Sequence, residues 1–84
     1  MLKLYIVEVE YTVDDPIEDE AYIAIYYVLA RTKERAIELV KQDLQKSKVF
    51  VAYNDKMNPI LAQIKDIHIE NIKEINEEKI IYVF

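Results

Sequence analysis

The stretch AYIAIYYVLA, residues 21–30, offers no charged or amide side chain and no hydroxyl beyond those of its three tyrosines. Side chains of a strand alternate between two faces, so this run has an apolar set on each. Tyr22, Tyr26 and Val28, with small alanines between them, form one set, and Ile23, Ile25, Tyr27 and Leu29 form the other. A sheet built around such a strand needs cover on both sides.

The preceding segment LKLYIVEVEYTV, residues 2–13, reads as a partner strand. Tyr5, Val7, Val9, Tyr11 and Val13 line one face, and Glu8, Glu10 and Thr12 the other. Leu2, Leu4 and Ile6 make its first half apolar on both faces. The simplest reading of 2–30 is a long antiparallel hairpin. Next, RTKERAIELVKQDLQKS carries a helix signature: Thr32 as N-cap, Glu34 in the first turn, and an apolar stripe of Ala36, Ile37, Val40 and Leu44. Arg35 stands where an acid or amide would complete a capping box. This passage is similar to one common in small phage and archaeal proteins, a likeness that covers strand exit, cap and amphipathic helix and carries no function.

Beyond the helix, residues 49–53 (VFVAY) predict a third strand and 54–59 a loop. The isoleucines at 64, 67, 69, 72 and 75 fit no single period, so 60–64 reads as a turn or irregular run and 65–74 as a strand. KIIYVF predicts a final strand after a turn at 76–78. The expected fold is one α+β domain over 1–84, in the order β-β-α-β-β-β. It has a small antiparallel or mixed sheet of four to five strands and one amphipathic helix on one face. One helix covers one face only. The second face of strand 21–30 therefore points to a partner chain, and to a homodimer in the first instance. Tyr22, Tyr26 and Val28 are the expected interface residues, because tyrosine combines buried area with a hydroxyl for the rim of an interface.

Charge adds one local feature. The net charge is −5, from 16 acids and 11 bases. Five of those acids (Asp14, Asp15, Glu18, Asp19 and Glu20) sit together in DDPIEDE, and without them acids and bases balance. Such a focused negative potential has three readings. The plainest is a solvated hairpin connection, in which Pro16 suits a turn. The second is an acidic contact for a basic, nucleic-acid-handling protein, as a small viral or mobile-element inhibitor would present. The third is a weak divalent-metal site, although the spacing matches no calcium-loop register.

Composition excludes several chemistries. The chain has no Gly, where average usage would give about six, so glycine-rich phosphate loops and dinucleotide fingerprints are absent. Turns that need positive φ are expected to use Asn or Asp, as at Asn54, Asp55 and Asn58. There is no Cys, and hence no disulfide, thiolate zinc site or thiol nucleophile. The sole histidine lies in Asp66-Ile67-His68-Ile69-Glu70. A regular strand would place those three polar side chains on one face with the outer two about 13 Å apart, a solvent-facing edge rather than a metal triad. No hydroxyl stands at motif spacing from His68, so no catalytic residue, cofactor or metal ligand is assigned. With a pI near 4.8, nucleic acid is an unfavoured partner. Charges interrupt every apolar stretch, and the start of the chain shows no leader pattern; a cytoplasmic, non-enzymatic interaction module is the expectation. The abundance of Ile, Lys, Glu and Tyr fits an AT-rich or thermophilic genome.

Overall fold

A computed structural model describes residues 1–14 and 21–76. Four strands and one helix follow in the order β1 (Lys3–Val13), β2 (Ala21–Ala30), α1 (Lys33–Lys46), β3 (Lys48–Tyr53) and β4 (Pro59–Ile75). The strands form one antiparallel sheet in the order β2-β1-β4-β3. The α+β class and the single helix match the sequence expectation. The described sheet has four strands, and the expected strand at KIIYVF lies outside the described residues.

β1 and β2 pair one to one from Lys3 opposite Ala30 to Thr12 opposite Ala21, with no shift in register. That register sets Val7 beside Tyr26, Val9 beside Ala24 and Tyr5 beside Val28. α1 lies across this face. Thr32 caps it as the sequence predicts: its Oγ1 accepts from the Arg35 amide at 3.1 Å. The side chain of Arg35, with no capping box to complete, pairs with Glu38 at 3.0 Å. Ala36, Val40 and Leu44 bury themselves against Tyr5, Val7, Val9 and Ala30. Tyr11, Ala24, Tyr26, Val28, Ile64, Ile67, Ile69 and Ile72 pack around that centre.

The irregular isoleucine spacing has a structural cause. β4 is one continuous strand of 17 residues, and the expected break at 60–64 does not occur. Instead β4 carries two bulges against β1, each with one extra residue in β4. Val9 faces Ile69 and Glu8 faces Asn71, which leaves Glu70 over; Tyr11 faces Ile67 and Val13 faces Ile64, so Lys65 and Asp66 share the space opposite Thr12. A bulge flips the parity of every later residue. Ile64, Ile67, Ile69 and Ile72 thereby all reach the helix side, while Ile75, opposite Leu4, emerges on the other face.

β3 pairs only with the first part of β4, from Pro59 to Gln63, so this hairpin extends past the body as an arm. The chain measures 51 × 26 × 18 Å, with a radius of gyration of 15.6 Å. A compact chain of this length would have about 12 Å. At the arm's tip the positive φ falls on Met57 (62°) and not on an Asn or Asp, contrary to the sequence expectation. Asn54 instead serves the turn with its side chain: Oδ1 accepts from the amides of Lys56 and Asn58, both at 2.9 Å. The Met57 amide closes the turn onto the Asn54 carbonyl. Those bonds offset the roughly 1 kcal/mol that an unbranched residue loses in the left-handed region. Among the described residues, no helix is long and apolar enough to cross a membrane.

Candidate interaction surface

With α1 on one side, no other described element covers the second face of the sheet, and its composition follows from the register. From β2 come Ile23, Ile25, Tyr27 and Leu29; from β1 come Leu4, Ile6, Glu8, Glu10 and Thr12; β4 adds Ile75, Lys73, Asn71, Glu70, His68 and Asp66. The face divides in two. Leu4, Ile6, Ile75 and the β2 side chains make an apolar half, and the remaining groups make a polar half dominated by carboxylates.

The apolar half is well exposed. Ile23 is 70 % accessible, Ile25 57 %, Tyr27 52 % and Leu29 62 %. Those four present on the order of 500 Å² together, within the range of the largest apolar patches on soluble proteins. They belong to one strand and are adjacent, so the patch is contiguous. Exposure of single apolar residues is ordinary, whereas four in a row on a folded sheet is not.

The side chains expected at an interface lie on the covered side. Tyr22, Tyr26 and Val28 share the helix-covered face, and it is the alternate set that is open. Tyr26 and Val28 pack against the core, and the Tyr22 ring stacks on Tyr11 with centroids 5.6 Å apart. The Tyr26 hydroxyl donates to Asp43 Oδ2 on α1 at 3.0 Å, tying helix to sheet. The two sets are both apolar and differ by one step of register, so alternation alone could not say which one α1 would select. Size carried the one available signal: Ala24 and Ala30 on the covered face leave room for a helix to approach, and the open set has no small residue in its interior.

Burial, reinforced by the hydrogen bond and the charge of Asp43, pushes the Tyr26 phenol up to about 12 from its usual 10.0. Raising an acid's pKa on folding means that the neutral form is the one the fold favours. The contribution is therefore intact below pH 10 and is lost as the pH climbs from there towards 12. An absorbance titration is expected to show a late phenol in the wild type that is missing in Tyr26→Phe. That variant should also cost about 1 kcal/mol at neutral pH in denaturant unfolding, the net worth of one hydrogen bond. Wild type and Tyr26→Phe that lose phenol protons over the same pH range, differing only in amplitude, would contradict this assignment.

On the polar half, Glu10 lies opposite His68, and the bulge residue Glu70 sits beside both. His68 Nε2 is 3.7 Å from Glu70 Oε1. Glu10 is held above the usual carboxylate range by a hydrogen bond to Glu70, then by the charge of Glu70, and His68 opposes this. Asp66 does not join them: Thr12 Oγ1 donates to its Oδ2 at 3.1 Å. Of the three polar residues grouped in the sequence, the structure thus brings together His68 and Glu70, adds Glu10, and diverts Asp66 to Thr12. No cluster of three metal-ligating side chains with suitable geometry occurs among the described residues. In the acidic stretch, Asp14 is exposed and its amide donates to the Gln63 carbonyl at 2.9 Å, fixing the end of β1 to β4. Asp15, Glu18, Asp19 and Glu20 lie outside the described residues.

The arm carries a second, smaller apolar group. Phe50 and Tyr53 meet edge to face with centroids 5.0 Å apart, and Phe50 faces Leu61 across the hairpin. All three are more than half exposed. No family model, curated protein or solved structure matches the chain.

Proposed function

We propose that this protein acts by binding rather than by chemistry, as an interaction module that closes the apolar half of its open face on a second copy of itself. The observation behind this reading is the contiguous row Ile23, Ile25, Tyr27 and Leu29, extended by Leu4 and Ile6, on a sheet whose other face already holds the helix. Two such patches bring together about 1,000 Å², the lower bound for a specific interface. The patch carries no charge, so a two-fold contact sets no like charges against each other at its centre. Glu8, Glu10 and Lys73 border it, as polar groups border the core of known interfaces.

The test is solution mass by light scattering at micromolar concentration. The wild type should run at the mass of two chains and Ile6→Glu at the mass of one, with an unchanged far-ultraviolet spectrum. Ile6 lies on the open face between Tyr27 and Lys73, so a carboxylate there keeps a cationic neighbour within the fold. Its burial against a second copy would raise the dissociation constant at least 100-fold, or about 3 kcal/mol. Wild-type protein at the mass of one chain, or Ile6→Glu at the mass of two, would remove this reading.

A further inference from the structure

The titratable groups of the polar half begin where the apolar half ends. Glu10 stands on β1 between Ile23 of β2 and His68 of β4, so one of its two neighbours across the sheet belongs to the apolar row. Adjacent strands are about 5 Å apart, which puts this carboxylate beside a side chain that a second copy would cover. Glu70 is the extra residue of β4, set beside Glu10 by the bulge and with no partner of its own on β1. The other groups near Glu10 come from three strands. β1 contributes Glu8 and Thr12, and β4 contributes His68 and, bonded to Thr12, Asp66. On β2, Ile23 and Ile25 are apolar, and the Tyr27 phenol lies opposite Ile6. Two lysines stand further along: Lys65 shares the bulge opposite Thr12, and Lys73 faces Ile6. α1 lies on the other face.

We infer that closure of this face is proton-linked: resting on the face contact proposed above, each copy takes up a proton on Glu10, shared with Glu70, as its apolar half is covered, and association tightens in acid. Two carboxylates held against each other favour one shared proton over two full charges. A hydrogen bond between them exists only while one of them carries that proton. That bond first, and the charge of Glu70 second, already hold Glu10 above the usual carboxylate range in the single chain. Covering the neighbouring Ile23 withdraws water from the pair, and loss of water disfavours the charged form further.

Linkage fixes the sign. A carboxyl that holds its proton more tightly in the dimer than in the single chain strengthens the dimer fully below its single-chain pKa, and the gain disappears as the pH rises through its pKa in the dimer. Glu10 starts above the usual 4.5, so the window lies between there and neutrality. A pair whose protonated form is favoured about tenfold by covering contributes about tenfold to association, and a two-fold dimer holds two such pairs, or about 100-fold over the whole window.

The experiment is the dimer dissociation constant of wild type, Glu10→Gln and His68→Asn by sedimentation equilibrium, at about pH 7.5 and about pH 5.5, the lower value staying above the pI near 4.8. The wild-type Kd should fall about tenfold on acidification, since the window is only partly crossed. Glu10→Gln keeps a donor to Glu70 without a titrating proton at position 10. It should associate at the higher pH about as tightly as wild type does at the lower, and lose most of the change. What change it retains measures the general loss of repulsion between acidic chains. His68→Asn should keep the wild-type trend, which separates the carboxyl pair from the imidazole. A wild-type dimer whose Kd is constant with pH, changes equally in Glu10→Gln, or loses its trend in His68→Asn would overturn the inference and leave the face contact standing. So would a Kd that rises in acid, as a cation of the second copy seated on Glu10 would cause. Wild-type protein at the mass of one chain at both pH values would instead remove the face contact, and the linkage with it.

Discussion

Deleting Glu70 should leave this protein folded, and deleting His68, two residues earlier, should unfold it. The contrast follows from the register of β4. Glu70 is the extra residue between Ile69, opposite Val9, and Asn71, opposite Glu8. Without it, the strand runs straight through: Ile69, Asn71 and Ile72 keep their partners, and Ile72 stays on the helix side beside Val7. The losses are the Glu70 contacts to Glu10 and His68, which are exposed to solvent and contribute little. Removal of His68 has the opposite result. Ile67 still faces Tyr11, but Ile69 moves opposite Glu10 on the open face and the Glu70 carboxylate moves opposite Val9. Val9 is fully buried. An unpaired carboxylate there, together with the loss of one core isoleucine, costs more than about 4 kcal/mol, a large part of what a domain of this size has to lose. Thermal melts of the two deletions side by side decide the matter. Similar melting temperatures would mean that the strand re-registers freely and that the bulges carry no information.

A second contrast uses neighbouring residues in β1. Val7→Glu is expected to abolish folding, whereas Ile6→Glu is expected to abolish only association. Val7 is fully buried between Tyr26 and Ile72 beneath α1, and among the described residues no cation lies in the core around it. An isolated buried carboxylate costs several kcal/mol before any packing is lost. Ile6, one step along, looks out on the open face, where water solvates a carboxylate in the single chain. Circular dichroism separates the two outcomes: a coil spectrum for Val7→Glu and a native one for Ile6→Glu. If Val7→Glu retained a native spectrum, the side of the sheet assigned to the core would be wrong.

Much of the architecture can be read from the sequence, and the places where it cannot are physical. The β1–β2 pairing follows from two apolar strand runs in succession and α1 from a helical stripe, and Thr32 caps where its hydroxyl and the following apolar stripe say it should. β4 resists because a bulge is local and alternation is cumulative: after Glu70 each side chain changes face, and no uniform template survives two such shifts. The Met57 turn resists because Asn54 contributes through its side chain and leaves the left-handed backbone to another residue. For the candidate surface, the existence of an uncovered apolar face is legible in AYIAIYYVLA, but not which of its two faces. That depends on where the helix lands, and Tyr26 bonding to Asp43 is a tertiary fact absent from either segment alone.

The Lys65–Asp66 bulge occupies the joint between body and arm, since Ile64 and Ile67 on either side pair with β1 while Pro59 to Gln63 pair with β3. Bulges bend and twist the strand that carries them. The arm is therefore a lever whose heading is set by one local irregularity, held from the side by Thr12 on Asp66 and by the Asp14 amide on Gln63. A change at those few positions, outside the buried core, would swing Phe50, Tyr53 and Leu61 to a new bearing while the core beneath α1 stayed as it is. Such a protein can re-aim its outermost aromatic group without rebuilding anything that keeps it folded.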